Sequence, residues 1–506
     1  MLTDSHANDF SAHDQKTIEG DLFKAFVAAG AISKANADDP KKSSFVRCAR
    51  TDKGVHAAGN VISLKLIVED EDIVQKINDN LVPQIRIWGF ERTNNSFSAY
   101  QMVDSRIYEY LIPTHSFLPP HPSSFLGKNL EEWAEKKDDV EAYRKRQEEV
   151  QGYWEKVDEE MIKPILADYD DDIRAVLEKA LWLKGGELDS GSKKEPAEYE
   201  KEVEVESSKP PPAEDDKAPG DETQPEAAPV NGDVQPSDKA KSETKNARYA
   251  TLNEAMKRLR QAYITAKRAY RIPESRLARI QEALNYFVGT RNYHNYTIQK
   301  TYRDPSAKRV IKSFNVNKTP ILINGTEWLS MKVHGQSFMM HQIRKMVGMV
   351  ALVVRCGCDP KRMYESLGPE NISIPKAPSL GLLLERPVFD TYSKRAKAEL
   401  GKEALNFDKF KTEMETFKQA QIYERMYHDE EKENVFGNFF NHVDHFPSET
   451  FLFVTSGGVE ASKAPVKVDG EEGENSRSEN ALGGVDAEDG DSDEDDAVKD
   501  NHGDEG

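Results

Sequence analysis

Arg50-Thr51-Asp52-Lys53-Gly54-Val55-His56-Ala57 leads into Asn60-Val61-Ile62-Ser63-Leu64-Lys65-Leu66-Ile67. The second run alternates, which predicts a half-buried strand over 60–67, and the octet before it reads as a loop feeding that strand. The loop sets one carboxylate, Asp52, between two cations, Arg50 and Lys53, and flanking cations favour the ionised form. Gly54 permits a positive φ or the close approach of a ligand. Asp and Gly are also ordinary turn residues, so the octet alone is equally a charged turn.

Outward from this point the patterning is mixed. Residues 17–27 carry apolar side chains at helical spacing with a stop at Gly30, and 73–81 predict a second amphipathic helix. Residues 84–92 and 106–112 alternate as strands, so the order predicts an α+β sheet domain. Pro119-Pro120-His121-Pro122 closes that unit, and 130–184 is charged and helix-prone. Order returns near Ala247 with a basic helix from Ala255 towards Arg271, followed by helical 280–288 and the polar, aromatic stretch 289–296. Strands are predicted at 309–316 and 328–334, then a turn at 335–338, a long amphipathic helix over 340–355, and a further helix over 408–433 on the outside. The second half repeats the vocabulary of the first, which predicts two related α+β lobes sharing a sheet.

The chain has 506 residues, with 37% hydrophobic and 31% charged residues and a net charge of −20. That balance is poor in apolar residues for a wholly folded chain, so part of it is expected to be disordered. Two segments hold much of the acid: 185–245, rich in Pro, Glu, Asp, Ser and Lys, and 459–506, which contains Asp491-Ser492-Asp493-Glu494-Asp495-Asp496. The rest is closer to neutral and has local basic stretches. Three cysteines, Cys48, Cys356 and Cys358, exclude a secreted disulfide framework and fit a reducing compartment. No run of about 18 apolar residues is present, and no secretory signal opens the chain.

Several separated motifs resemble the tRNA pseudouridine synthase A family, and their wording is most similar to its eukaryotic pseudouridine synthase 1 branch. The octet around Asp52 resembles the family's catalytic motif, and Arg106-x-Tyr108-x-Tyr110 its Arg-x-Tyr motif. Gly335-Gln336-Ser337-Phe338 with His341-Gln342-Ile343-Arg344-Lys345-Met346-Val347-Gly348 resembles the second-lobe motif. Ala377-Pro378-Ser379-Leu380-Gly381-Leu382-Leu383-Leu384 resembles the closing loop and strand. Phe287-Val288-Gly289-Thr290, Thr326-Glu327-Trp328-Leu329-Ser330 and Leu384-Glu385-Arg386-Pro387-Val388-Phe389-Asp390 carry the branch resemblance, which covers roughly 17–115 and 250–440.

The resemblance implies ferredoxin-like, RRM-like lobes sharing a mostly antiparallel sheet flanked by helices. The implied layout is a catalytic lobe over 1–115, a helical insertion over 116–184, a disordered linker over 185–246, a second lobe over 247–395, a helical extension over 396–455 and an acidic tail over 456–506. One departure stands out. The family opens with a strand ahead of its first helix, and 1–16 contains no candidate strand. The expectation is a chain lacking that strand, or one in which another segment pairs the freed ladder groups.

The resemblance assigns Asp52 as nucleophile, attacking either C6 of the base or C1′ of the sugar, in an isomerisation that breaks the C1′–N1 bond of a uridine and joins C5 to C1′. Arg344 is implied as the partner that holds the carboxylate charged and aimed. Tyr108 is implied to stack on the extruded base and to accept a proton late in the reaction. Arg50 and Lys53 are candidates for displaced phosphates, and His56 is a candidate RNA contact and equally a satisfied loop histidine. Tyr110, on the same face as Tyr108, is a candidate substrate contact but more often a core residue, and Leu383 is a candidate for the pocket wall and at least as much for the core. The basic helix near 257–271 offers a stripe for an RNA stem or an ordinary solvated face, and Tyr293, His294 and Tyr296 offer stacking or packing.

No cofactor is needed for this chemistry. Zinc enters only through a family association, since Cys356-Gly357-Cys358 lacks the spacing of a zinc knuckle and a second pair. The implied partners are tRNA around the anticodon stem and loop, and small nuclear and messenger RNAs, with a monomeric enzyme in the nucleus rather than the mitochondrion. The competing readings are a catalytically impaired RNA-binding chaperone of the same fold and a metal-dependent nuclease, for which the carboxylate cluster is missing.

Overall fold

The computed structural model describes residues 17–37, 39–51, 54–182 and 238–463, with side chains from 248 onward in the helix that begins at 238. Residues 1–16, whose sequence offers no candidate strand, and most of the linker and the acidic tail lie outside the described residues.

Strands β1 (Val46–Arg47), β2 (His56–Ala57) and β3 (Ile62–Ser63) are short, and β4 (Ser105–Pro113) is long. The later half supplies β5 (Gly289–Asn292), β6 (Lys308–Val316), β7 (Ile321–Ile323), β8 (Thr326–Gly335) and β9 (Leu382–Val388). Seven of them form one mixed sheet in the order β2-β9-β4-β8-β6-β5, with β7 paired to β8. Only β2 and β9 run parallel, and β4 from the first half is held between β8 and β9 from the second. The fold is α+β, a mixed sheet flanked by helices.

Helices α1 (Ile18–Ala28) and α2 (Ile73–Asp79) pack together as a small apolar cluster through Phe26, Ile73 and Ile77. Thr17 caps α1 by accepting from Gly20 N at 3.0 Å, as a threonine before an apolar periodic run should. The insertion folds as helices between Phe125–Lys136 and Asp171–Trp182, and much of it packs on α3 (Asp238–Ala269) in a second cluster. The main core lies between the sheet and helices α4 (Glu274–Asn285) and α5 (Gln342–Arg355). On the outside, Lys411–Phe417, a π-helical stretch Lys418–Tyr423 and α6 (Glu424–Glu433) follow one another, and then α7 (Val435–His445).

Two predicted strands turn out differently. Of 60–67, only Ile62 and Ser63 form a ladder, with Arg47 and Val46. Its remaining bonds are isolated, such as Lys65 N to Ser43 O at 2.8 Å and Ile67 N to Ala31 O at 2.9 Å. Residues 84–92 have no ladder among the described residues. The backbone of Ile87 is satisfied instead by one side chain, with Asn78 Nδ2 donating to Ile87 O at 2.8 Å and Ile87 N donating to Asn78 Oδ1 at 2.8 Å. The alternation is still used, because Ile85 and Ile87 cover the α1–α2 cluster while Trp88 meets Phe417 edge-on at 5.4 Å.

Chain order also extends beyond the predicted limits. The helix α3 begins at Asp238, inside the expected linker, and Val459 and Ala461 are buried, inside the expected tail.

Candidate active site

The segment 375–381 ties the two halves of the site together. Arg344 lies in the first turn of α5 and is 1% exposed, although it is a guanidinium. Its Nε donates to Ala377 O at 2.7 Å, and Ala377 N donates back to Arg344 O at 3.2 Å. Such close docking on a helix needs a missing side chain. A Cβ on Gly348, one turn after Arg344, would stand 2.4 Å from Pro375 O. Tyr110 on β4 donates its hydroxyl to Pro378 O at 2.6 Å. Gly381 lets the segment cross β4, since a Cβ there would lie 2.4 Å from Leu111 O and 2.8 Å from the Tyr110 ring. Gly54 of the octet takes φ +78°, the conformation its residue type was read to allow, and the position of its Cβ would be 3.5 Å from Ser379 Oγ. The loop that carries Asp52 and the helix that carries Arg344 therefore meet at the same few residues.

A cleft of about 1510 Å³ opens beside this junction. Arg50, Thr51 and Val55 of the octet line it, with Tyr108, Phe338, His341 and Leu382, and extended residues from 60–66 and 84–93 form its walls. Lys24, Lys65, Arg86 and Arg92 add cations to the lining. Tyr108 is 8% exposed and its ring is set edge-on against Phe338 at 5.2 Å. His341 begins α5 in the left-handed region at φ +59°, and Thr297 Oγ1 holds the preceding carbonyl of Met340 at 3.0 Å.

The chain as a whole has known relatives. A family model described as "tRNA pseudouridine synthase" matches residues 283–390. A protein of Yarrowia lipolytica named "tRNA pseudouridine synthase 1" is 42% identical over 448 residues, covering 88% of this chain and 73% of the relative. A Schizosaccharomyces pombe protein of the same name is 38% identical over 457 residues, with 88% and 82% covered. This chain belongs to the tRNA pseudouridine synthase family. The Saccharomyces cerevisiae "tRNA pseudouridine(27/28) synthase" is a more distant relative, 31% identical over 435 residues, with 85% of this chain and 93% of the relative covered.

Within this synthase the sheet sorts the candidate residues by face, because alternate residues of a strand point to opposite sides. Tyr108 and Tyr110 share one face of β4, and their cross-strand partners are Leu384 and Leu382. Glu109 lies on the other face, opposite Leu383, which in turn pairs with His56. For Leu383 and His56 the structure agrees with the core alternative. Leu383 is fully buried on the back and Leu382 takes the cleft wall. His56 is 5% exposed on the back, close enough to Arg425 and Asp429 of α6 to feel their charges. Burial, with the Arg425 charge behind it, pushes His56 down to about 4, so it stays neutral. Tyr110 is fully buried and holds the 375–381 segment through its bond to Pro378 O. Arg50 is exposed on the cleft. Asp52 and Lys53 lie outside the described residues.

Tyr293, His294 and Tyr296 pack within the fold. Tyr293 and Tyr296 are fully buried against Phe287, the first tilted at 6.2 Å and the second edge-on at 5.2 Å, and His294 is 3% exposed. On α3, Arg258 pairs with Asp168 at 2.7 Å and Arg268 donates to Glu431 O at 2.7 Å. Arg271, just beyond, donates to Gly325 O at 2.9 Å. Cys356 and Cys358 are buried thiols, and burial raises both, Cys358 to about 11. Among the described residues no group of three or more metal-ligating side chains converges. None of the described helices is long and apolar enough to cross a membrane.

Sequence reasoning missed two buried charges. Lys345 donates to Thr297 O at 3.0 Å, and burial, with the neighbouring Lys376 charge, pushes it down to about 8. Glu109 accepts from Tyr423 and Ser330, and Lys418 approaches it at 3.9 Å while bonding Glu385 at 3.2 Å. A charged residue between two tyrosines in a strand was the available signal, since a sheet face that carries such a residue needs a partner to cover it.

Proposed function

We propose that this chain isomerises uridine to pseudouridine in tRNA, with Asp52 as the nucleophile. The observation that carries the reading is the approach of the octet and of Arg344 to residues 377–379 beside a cation-lined cleft. Sequence connectivity keeps Asp52 two residues from Gly54, where a Cβ would come 3.5 Å from Ser379 Oγ of that segment. A guanidinium buried there stabilises an ionised carboxylate that would otherwise tend to take up a proton.

In this reading the extruded uridine enters beside Tyr108, whose ring stacks on the base. The Asp52 carboxylate bonds transiently to the uridine, at C6 or C1′. The C1′–N1 bond breaks, the base turns, C5 joins C1′, and the bond to Asp52 is released; the C5 proton leaves, with Tyr108 as its acceptor, and the freed N1 takes up a proton. Nothing is added or lost overall, so neither a redox partner nor a cofactor is required. Residues 17–115 and 247–395 carry the chemistry as two related lobes, and 116–184 and 396–455 buttress them. The proposal extends to uridines around the anticodon stem, to small nuclear and messenger RNAs, and to a monomer acting in the nucleus.

The test is tritium release from 5-tritiated uridine in tRNA, for wild type and Asp52→Ala. Release by the wild type that disappears in the variant, with tRNA binding retained, supports the enzyme. An inert wild type that still binds tRNA supports the chaperone reading instead.

A further inference from the structure

Beyond the cleft, residues 289–312 differ in charge from the chain as a whole. They hold six Lys and Arg residues against one carboxylate, Asp304, in a chain of net charge −20. The edge strand β5 places Arg291 directly opposite Arg309 on β6. Like charges in that register oppose pairing, so folding alone does not explain them. Between the two strands, the loop from Ile298 to Arg303 exposes two large apolar side chains, Ile298 at 41% and Tyr302 at 43%. The loop is not loose at its ends. Thr297 Oγ1 donates to Met340 O at 3.0 Å, Asn292 Nδ2 donates to Tyr302 O at 2.7 Å, and the Tyr302 ring meets His294 edge-on at 5.4 Å. The bond to Met340, which lines the cleft, puts the loop at the cleft rim.

We propose that this edge is a second contact surface for the substrate RNA, outside the reacting nucleotide. Tyr302 stacks on an unpaired base, and Arg291 and Arg303 hold phosphates of the same strand. An anchored, exposed ring flanked by cations is the chemistry of a single-strand RNA contact, because every base offers a π-face and every linkage a negative charge. The inference rests on the reading that the substrate is RNA, and it names the part of the surface that selects it.

The experiment compares wild type with Tyr302→Ala, Tyr302→Phe and the double variant Arg291→Ala/Arg303→Ala, measuring tRNA affinity, its salt dependence, KM and kcat. Removing one stacked base weakens binding about five- to a hundredfold, so KM should rise by that range in Tyr302→Ala while kcat at saturation stays unchanged. Tyr302→Phe should match wild type. The double variant should flatten the slope of log Kd against log salt by about 0.7–0.9 for each phosphate that is no longer neutralised. Affinity and salt slope both within error of wild type in the double variant, with Tyr302→Ala binding within twofold, would overturn the proposal. In that case intact turnover leaves the synthase reading standing. A wild type that makes no pseudouridine, yet loses affinity in these variants, removes the synthase reading and keeps the contact surface.

Discussion

Gly348→Ala sets two effects of opposite sign against each other. On helix propensity alone the change should stabilise α5 by about 1 kcal/mol, since glycine is the poorer helix former. The structure puts the new methyl 2.4 Å from Pro375 O, with Ala377 N also within 3.6 Å. Restoring an ordinary separation requires about 1 Å of movement, given that non-bonded heavy atoms settle near 3.5 Å. Both neighbours are backbone, so no flexible side chain can give way. Overpacking of this kind costs about 1–3 kcal/mol, which leaves a net loss of about 0–2 kcal/mol after the propensity gain.

Catalysis should suffer more than stability. The segment that must move is clasped by Arg344 through Ala377, and its Ser379 Oγ lies 3.5 Å from the Cβ position of Gly54. A displacement near 1 Å in positioned catalytic groups lowers rate about a hundredfold, equivalent to about 2.7 kcal/mol of barrier. Single-turnover tritium release at saturating enzyme measures that step, and tRNA affinity should be unchanged. Gly401→Ala is the control: it sits at φ +59° with nothing within 4 Å, so backbone strain should cost about 1–2 kcal/mol with no loss of rate. A Gly348→Ala rate within threefold of wild type would refute the idea that 375–379 positions the site.

Arg344→Lys keeps the charge but loses the planar fork and the Nε bond to Ala377, so turnover should fall at least tenfold while the melting temperature moves by a few degrees; wild-type turnover would remove the guanidinium from the mechanism. Glu430 offers a pH test, because burial raises its carboxyl from 4.5 to about 8. As pH rises from 4.5 towards 8 the unfolded chain releases this proton first, so wild-type stability should fall across that window. Glu430→Gln keeps an acceptor for Phe436 N, 3.0 Å away, and does not titrate. Its melting temperature should match wild type near pH 4 and exceed it at pH 9, and a gap independent of pH would contradict the burial argument. Removing 464–506 should raise affinity for unrelated RNA at low salt by relieving charge repulsion, with the difference shrinking as salt is added; unchanged binding at low salt would reject that role.

The parts of this site that could be read from the sequence are those fixed by local chemistry. A glycine beside a carboxylate gave the turn at Gly54, and an uninterrupted apolar stripe gave α5 with Arg344 in its first turn. What escaped depends on the third dimension. Leu382-Leu383-Leu384 is uniformly apolar, so nothing in the run tells which side chain faces the cleft; that is set by register against Tyr108 and Glu109, across a bulge between Ile107 and Tyr108. His56 looks like a loop residue until its strand is paired with β9. Residues 84–92 alternate as a strand does, yet one asparagine, Asn78, supplies the bonds that alternation normally presages. The basic helix near 257–271 shows the same limit, because its arginines are drawn towards Asp168 and backbone carbonyls that are remote in sequence.

Glu109 is separated from each of the two tyrosines by a single peptide unit. Its carboxylate is tethered to Tyr423 and lies near Lys418, so the outer helices and the reaction chamber grip opposite sides of one ribbon. A lesion in that distant layer would therefore tilt the ribbon and silence the enzyme without touching any group that meets RNA. A trimmed version of the protein that omits 418–430 would take Tyr423 and Lys418 away from this carboxylate and leave Ser330 as its hydrogen-bond donor.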